Sequence, residues 1–246
     1  MARRQRRHKR LLIGMLLLLP LTFLGWNQAT FNFDVLLPRR VFRSGQMPAW
    51  ALASTLRNRQ IKTVVNLRGP NPGEHWYQSE VAATLAAGAS HVDLSLSSCV
   101  WMSRIQFRTL VRILDTCEYP LIIHCAWGSE RTGLVSAIVK LLEPGSTLAE
   151  ARGQLALRYL YLRMGDGRIM AEFLDQYEAW LTGNRLEHSP EVFRRWAADG
   201  YVPVKPSREE WPYDPSPLVV VTRPPAPVRS VAAGTIEGES RGIRTR

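Results

Sequence analysis

The stretch from Leu121 to Gly133 constrains the fold of this chain more than any other. Its sequence is LIIHCAWGSERTG, in which an apolar run ends at His124 and Cys125 and a second apolar run begins after the last glycine. This pattern predicts a strand, a tight loop and the start of a helix. The loop would then hold a thiol and a guanidinium on opposite sides.

A loop between a strand end and a helix start suits an anion, because its backbone N–H groups and the helix dipole create positive potential. Cys125, at the first position of this loop, would lie at the bottom of the anion site, where the same potential favours the nucleophilic thiolate. Arg131 can return over the loop and hold two phosphate oxygens. We therefore predict phosphoryl transfer through Cys125 and Arg131.

The remaining loop residues receive supporting roles. Gly128 lets the backbone approach an anion, Thr132 donates its hydroxyl to the sulfur, and His124 braces the loop through its ring nitrogens. Trp127 is exposed by position and either stacks on an aromatic substrate or wedges the loop. The alternative to a catalytic role is that Cys125 is a buried, unreactive residue at a strand end. The predicted phosphate-binding residues are Ala126, Trp127, Gly128, Ser129, Glu130 and Arg131.

Upstream of this loop, β-branched runs alternate with helical patterns. Strands are predicted at 41–43, 61–67 and 91–96, and helices at 48–59 and 74–87, with Ser103 capping a third helix. Downstream the pattern is helical, at 133–142, 147–160 and 168–181. The alternation predicts an α/β fold with a central, mostly parallel sheet of four to five strands, flanked by helices, and a helical C-terminal half.

The formal net charge of +11 comes mostly from the two ends of the chain. Six basic residues lie among the first ten, and residues 223–246 hold five Arg against two Glu. The part between is nearly neutral, which argues against nucleic acid as a partner. The three cysteines, Cys99, Cys117 and Cys125, form neither a disulfide framework nor a Cys-x-x-Cys metal pair.

The basic N-terminus leads into an uncharged apolar run at 11–26. This order is typical of a secretory signal or a signal anchor, and it sends the rest of the chain across the membrane. We expect a single uncleaved anchor with an extracytoplasmic catalytic domain; the alternative is a secreted protein released by cleavage. The predicted segments are an N-terminus with anchor (1–33), a catalytic domain (34–183), an extension packed on it (184–217) and a disordered tail (218–246).

The stretch HCAWGSERTG resembles the signature His-Cys-x2-Gly-x2-Arg-Thr-Gly of the cysteine-dependent protein tyrosine and dual-specificity phosphatases. FRSGQ (42–46) and IKTVVNLRG (61–69) resemble the atypical dual-specificity branch of bacteria, plants and fungi. The resemblance covers about residues 34–181. It implies the cysteine-phosphatase fold, a bacterial enzyme without metal or cofactor, and a covalent phosphocysteine intermediate on Cys125.

The chain departs from this family at the general acid. Relatives supply an Asp from the loop that here reads SSCVWMS, without a carboxylate. Asp93 precedes this loop within a predicted strand, where a structural role is the alternative. Glu130, directly before Arg131, is the rival candidate and the one we favour. Arg68 lies at a strand end facing the same rim, and is either a second anion-binding group or a salt-bridge partner.

The predicted function is therefore phosphomonoester hydrolysis, with a phosphorylated protein or a small phosphomonoester as substrate. Activity on phosphotyrosine or dual-specificity protein substrates is the first hypothesis. Inositol phosphates or phosphoinositides are the second, although the loop lacks the additional Lys that such enzymes often carry. The missing loop Asp motivates a third, a phospho-binding pseudophosphatase. A sulfurtransferase is a fourth, which the Arg-Thr-Gly sequence disfavours.

Overall fold

The computed structural model describes residues 18–204 and 219–223. Its central sheet has six strands in the order β1-β2-β5-β3-β4-β6. Strands β2, β5, β3 and β4 are parallel, whereas β1 and β6 are antiparallel edges. The strands are β1 (Asp34–Leu37), β2 (Val41–Ser44), β3 (Thr63–Asn66), β4 (Ser90–Leu94), β5 (Leu121–His124) and β6 (Val219–Thr222).

Helices flank this sheet, which confirms the predicted α/β class with a mostly parallel sheet. The sheet exceeds the predicted four to five strands because the antiparallel edges β1 and β6 were not anticipated. The helices are α1 (residues 18–29), α2 (Ala49–Arg59), α3 (His75–Ala86), α4 (Arg104–Thr116), α5 (Glu130–Leu142), α6 (Leu148–Arg152), α7 (Ile169–Asn184) and α8 (Pro190–Arg195).

Neighbouring strand residues supply two separate cores, because successive side chains of a strand point to opposite faces. Val64 and Ile122 pack against α2, whereas Val65 and Ile123 belong to the larger core formed with α4, α5 and α7. All four side chains are fully buried. The sheet is therefore covered on both faces, as its continuous β-branched runs predict.

A polar row crosses the carboxyl ends of the parallel strands. Ser44 pairs in register with His124, which pairs with Asn66, which in turn pairs with Asp93. All four are buried. Ligands of parallel α/β sheets bind at this edge, so the fold itself directs attention to the loops that follow these residues.

The C-terminal extension packs on the domain as far as the structure describes it. Phe193, Trp196 and Tyr201 are buried around Phe107 of α4, with ring centroids 5.0–5.7 Å from it. The Tyr201 hydroxyl also donates to the Met102 carbonyl at 2.7 Å. Residues 205–217 of this predicted segment lie outside the described residues.

Two expectations about the C-terminal half need correction. The helix predicted at 147–160 begins with the expected capping box of Thr147 and Glu150 but ends at Arg152, and a short 3-10 turn, Leu157–Tyr159, follows. The predicted disordered tail contains β6, whose Val221 pairs with Val92 of β4. The run VVVT has strong β propensity, which the Pro-rich and Arg-rich composition around it obscured.

The predicted anchor lies partly outside the described residues, because nothing before residue 18 is described. Residues 18–29 are helical. Within 18–204 and 219–223, no helix combines the length and the apolar character needed to cross a bilayer.

Candidate active site

The predicted strand, loop and helix are all present. Cys125 directly follows β5 and is 1% exposed, and α5 begins at Glu130. Within the described part of the chain, the backbone N–H groups of residues 126–129 make no hydrogen bond to a protein acceptor. An anion above Cys125 is the ligand that such a set of free N–H groups at a helix start would bind.

Gly128 is required by two constraints at once. Its φ is +71°, a left-handed conformation that disfavours a side chain. An added Cβ would also lie 2.6 Å from the backbone N of Gly45, on the loop after β2. The two loops are linked further by the Gln46 N–H, which donates to the Ala126 carbonyl at 3.0 Å. Residues 125–129, called the phosphate loop from here on for the ligand predicted there, are thus packed backbone to backbone against the loop after β2.

Arg131 is anchored over the carboxyl ends of two strands. Its Nη1 donates to the carbonyls of Leu67 and Leu96, at 3.4 and 3.2 Å. Its Nε is buried and has no hydrogen-bond partner in the described part of the protein. The guanidinium is therefore oriented by the protein and keeps a donor for a ligand, as a phosphate clamp requires.

Arg43, on β2, supports the loop from one side and was not predicted. Its side chain is fully buried. Nη2 donates to the Gly128 carbonyl at 2.7 Å, Nη1 donates to the backbone and side-chain oxygens of Gln154 at 3.0 Å, and the guanidinium lies 3.5 Å from the Tyr159 ring centroid. Because burial disfavours the charged form, the pKa of Arg43 falls to about 10.

Asn32 adds a second unpredicted support. Its side-chain amide donates to the carbonyls of Trp127 and Tyr159, each at 3.0 Å. The residue is buried and adopts a left-handed conformation, with φ of 51°. The packed unit therefore begins ahead of the predicted domain boundary at residue 34.

Glu80, on α3, supports the loop from the other side. Its Oε1 lies 3.0 Å from Nε2 of His124 and 2.9 Å from Nε2 of His91. Burial alone would raise the pKa of Glu80, but the charge and hydrogen bonds of the two imidazoles outweigh it and hold the pKa well below its usual range. The expectation that His124 uses its ring to brace the loop agrees with this geometry.

A chain of contacts leads from Glu80 through Gln46 to Arg68. Its second oxygen accepts from Nε2 of Gln46, whose Oε1 accepts from Nη1 of Arg68 at 3.0 Å. The Arg68 guanidinium lies 3.5 Å from the Trp76 ring centroid. Burial, and then the charge of Arg131, lower the pKa of Arg68.

Asp93, the first candidate for the general acid, is fully buried on β4. Its oxygens accept from Nδ2 of Asn66 at 2.7 Å and from the hydroxyl of Tyr77 at 2.6 Å, and Oδ2 lies 3.5 Å from Nδ1 of His91. A carboxylate occupied in this way inside the core is not placed to protonate a leaving group. The geometry favours the structural alternative.

Glu130, the second candidate, lies half-buried on the first turn of α5. A Cβ added to Gly167 would lie 3.2 Å from its Cγ, so the side chain packs beside the turn Gly165–Arg168. Within the described residues it makes no salt bridge, unlike the surface carboxylates of α7. Its carboxyl group is therefore not committed to an ion pair, in contrast to the fully bonded Asp93.

The other predicted site residues are also placed by the loop. The Trp127 side chain is 62% exposed, whereas Ser129 is buried with its hydroxyl unpartnered in the described structure. The Thr132 hydroxyl donates to the Ser44 carbonyl at 3.4 Å, so in this arrangement its proton is directed away from the sulfur. Whether it later serves the thiolate stays a prediction.

Sequence reasoning missed the residues that support the loop from its two sides. Arg43 and Gln46 lie in the FRSGQ stretch, whose local pattern gives no sign of their partners in the fold. Glu80 carried a signal of its own, because it lies on α3 at helical spacing between the buried Tyr77 and Thr84. A carboxylate on the apolar face of a helix needs a partner, and two histidines supply it.

Comparison with known proteins agrees with this geometry. Residues 29–143, which include the phosphate loop, match the model of the tyrosine phosphatase family. This match spans somewhat less than half of the 246 residues, and it is a similarity to that family. A comparison with curated protein sequences gives no match.

Among solved structures, TpbA from P. aeruginosa is 19% identical, with a TM-score of 0.48 and coverage of 60% of this chain and 85% of that one. The core catalytic domain of the PP-IP phosphatase SIW14 from S. cerevisiae is also 19% identical, with a TM-score of 0.46 and coverage of 63% and 93%. Both are distant, so neither assigns a substrate or a residue role to this chain.

Proposed function

We propose that this phosphatase-superfamily chain hydrolyses phosphomonoesters through a covalent phosphocysteine on Cys125, with phosphotyrosine or dual-specificity protein substrates. One observation carries the proposal. A buried thiol, Cys125, begins a loop whose N–H groups at 126–129 have no protein acceptor in the described residues, and the helix after this loop carries Arg131, whose buried Nε has no partner there. The phosphate of a substrate satisfies all these donors together and places its phosphorus at the sulfur.

The reaction follows from this arrangement in two steps. The thiolate of Cys125 attacks phosphorus, the P–S bond forms, and the ester P–O bond breaks as the leaving oxygen takes a proton from an acid. Water then attacks the phosphocysteine, returns a proton to the same carboxylate, and releases phosphate and thiolate. Arg131 and the loop N–H groups stabilise the charge on the phosphoryl oxygens in both steps.

Glu130 is the acid in this proposal. Glu130 is half-buried directly before Arg131 and has no salt-bridge partner in the described residues, whereas Asp93 is committed to Asn66 and Tyr77. We expect Glu130→Gln to slow hydrolysis of a phosphoserine peptide more than that of an activated aryl phosphate, because a poor leaving group needs the proton most. A roughly hundredfold difference is the scale that general acid catalysis supplies.

Asp93→Asn is the matched control. It changes one carboxyl group to an amide inside the core, so we expect lower stability with an unchanged dependence of kcat on leaving group. If Asp93→Asn alone abolishes the sensitivity to leaving group, the role belongs to Asp93. If neither variant changes it, the acid is another group.

A second candidate function is hydrolysis of small substrates with several phosphates, such as inositol phosphates. The observation that favours it is Arg68, a second guanidinium, which is held by Gln46 and whose pKa is lowered by burial and by the charge of Arg131. Arg68→Gln distinguishes the two functions, since it would raise KM for an inositol phosphate far more than for a singly phosphorylated peptide. An equal change for both substrates would assign Arg68 to packing.

A further inference from the structure

Helix α1 is an uncharged helix that is exposed nearly all round. Residues 18–29 contain no charged side chain, and the sequence continues uncharged back to residue 11, after six basic residues. A helix that is apolar on every side needs an apolar environment around it. Its large exposed apolar side chains are Leu18, Leu19, Leu21, Leu24 and Trp26, between 45% and 69% exposed.

A short turn with several hydrogen bonds connects this helix to the phosphate loop. The Asn32 N–H donates back to the carbonyl of Asn27 in α1 at 2.8 Å, and the Phe31 carbonyl accepts from the Gly45 N–H at 2.7 Å. Asn32 also binds the Trp127 and Tyr159 carbonyls through its side chain. The helix end is therefore held against the phosphate loop, without a flexible linker between them.

Exposed apolar side chains surround this turn. Trp50 is 73% exposed, and its ring centroid lies 6.3 Å from that of Phe31. Trp127 is 62% exposed and Leu157 is 61% exposed, and each lies at or within two residues of a carbonyl that Asn32 binds. We call Trp50, Trp127 and Leu157 the rim patch.

We propose that α1 inserts into a lipid bilayer and that the rim patch lies in the headgroup layer, so that the phosphate loop acts on substrates at the membrane surface. The uncharged run fits the hydrocarbon, the Trp side chains fit the interface, and the basic N-terminus fits anionic headgroups. The inference rests on the proposed function only for the chemistry of its substrate.

The first experiment measures binding of the full chain to vesicles. Flotation with phosphatidylcholine vesicles, with and without phosphatidylglycerol, is compared for the wild type and for Leu21→Arg/Leu24→Arg. We expect the double variant to bind about tenfold more weakly or worse, because each buried Arg is costly. Ile105→Arg, a matched change of an exposed apolar residue on α4, should bind like the wild type.

The second experiment measures how deeply the rim patch lies in the bilayer. Quenching of tryptophan fluorescence by lipids brominated near the headgroup should decrease in Trp50→Phe. Trp180→Phe is the control, because Trp180 packs with the core on the opposite face of the sheet and should not contribute to the quenching. Equal quenching in both variants would overturn the placement of the rim patch.

The third experiment measures where the site works. A phosphotyrosine peptide is attached to lipid through a short or a long spacer, and a soluble aryl phosphate is assayed in parallel. We expect the short-spacer peptide to be hydrolysed at least as fast as the long one. Three results would overturn the inference. They are hydrolysis of the long-spacer peptide alone, a wild-type chain that does not bind vesicles, and a dimer that is held together through α1. If the protein does not hydrolyse the soluble aryl phosphate, the proposed function is wrong.

Discussion

Two buried charged side chains hold the phosphate loop from opposite sides, and they are stabilised in different ways. Arg43 is surrounded by neutral acceptors, namely the Gly128 carbonyl and both oxygens of Gln154, with the Tyr159 ring against its plane. Glu80 is instead shared between the imidazoles of His91 and His124. One support is a cation held by dipoles, and the other is an anion held by titratable groups.

The difference predicts how each support responds to pH. The pKa of Arg43 falls only to about 10, so its charge persists through the physiological range. Burial opposes the charged form of His91, but hydrogen bonds and charges from Asp93 and Glu80 outweigh burial and raise its pKa to about 9. The Glu80 side of the loop is therefore sensitive to pH, whereas the Arg43 side is not.

The largest effect is expected for Arg43→Met. This change leaves the Gly128 and Gln154 oxygens buried without their donor, so we expect a loss of about 3–5 kcal/mol in the free energy of unfolding. Urea denaturation measures it. Arg43→Lys keeps the charge but has no planar fork to reach both acceptors, and should fall in between. A loss below about 1 kcal/mol in Arg43→Met would contradict a bracing role.

Glu80→Gln should cost less, roughly 2–4 kcal/mol, because an amide still fills the space and bonds to one imidazole. The same variant should lower kcat with little change in KM, since it loosens the residue before Cys125 without touching the substrate. Glu74→Gln, at the exposed start of α3, is the matched control. Equal loss of stability in the two variants would remove Glu80 from the account.

The pH dependence of stability separates the two supports. His91 has a folded pKa near 9 against an ordinary value of 6.5, so its contribution is complete below about pH 6.5 and is lost as the pH rises through about 9. Glu80, with a lowered pKa, contributes above its ordinary value of 4.5 and loses that contribution only in acid. The expected slope above pH 6.5 is up to about 1.4 kcal/mol per pH unit.

Denaturant titrations of the wild type and of His91→Asn across this range measure the slope. The variant should lack the contribution of His91, whereas Arg43→Lys should keep it. A flat wild-type profile between pH 6.5 and 9 would show that His91 is not charged in the folded protein.

Gly128→Ala should have the smallest effect on stability and a clear effect on activity. The left-handed φ costs roughly 1–2 kcal/mol for a residue with a side chain. The Cβ would also press on the Gly45 backbone, 2.6 Å away, and shift the loop N–H groups. We expect a loss of kcat/KM of at least about tenfold, with Gly183→Ala, in open space, as the control. Unchanged activity would separate the loop conformation from catalysis.

Local sequence patterns predicted the loop well because its strand, thiol, glycine and helix start are contiguous. The supports were not predictable in the same way. Arg43 meets Gln154, and Glu80 meets His124, only after the strands are ordered in the sheet. The edge strand β6 was missed for a different reason, since its own β propensity was obscured by the Pro-rich and Arg-rich composition around it.

The central claim is that Cys125 forms a covalent bond to phosphorus in the anion site of this loop. Acid quenching of the full chain during turnover of an aryl phosphate, followed by peptide mass spectrometry, tests it most directly. We expect phosphate on the peptide that contains Cys125, and neither adduct nor phosphate release in Cys125→Ala, while Cys99→Ala behaves like the wild type. Continued phosphate release by Cys125→Ala, or an adduct on another residue, would contradict the account.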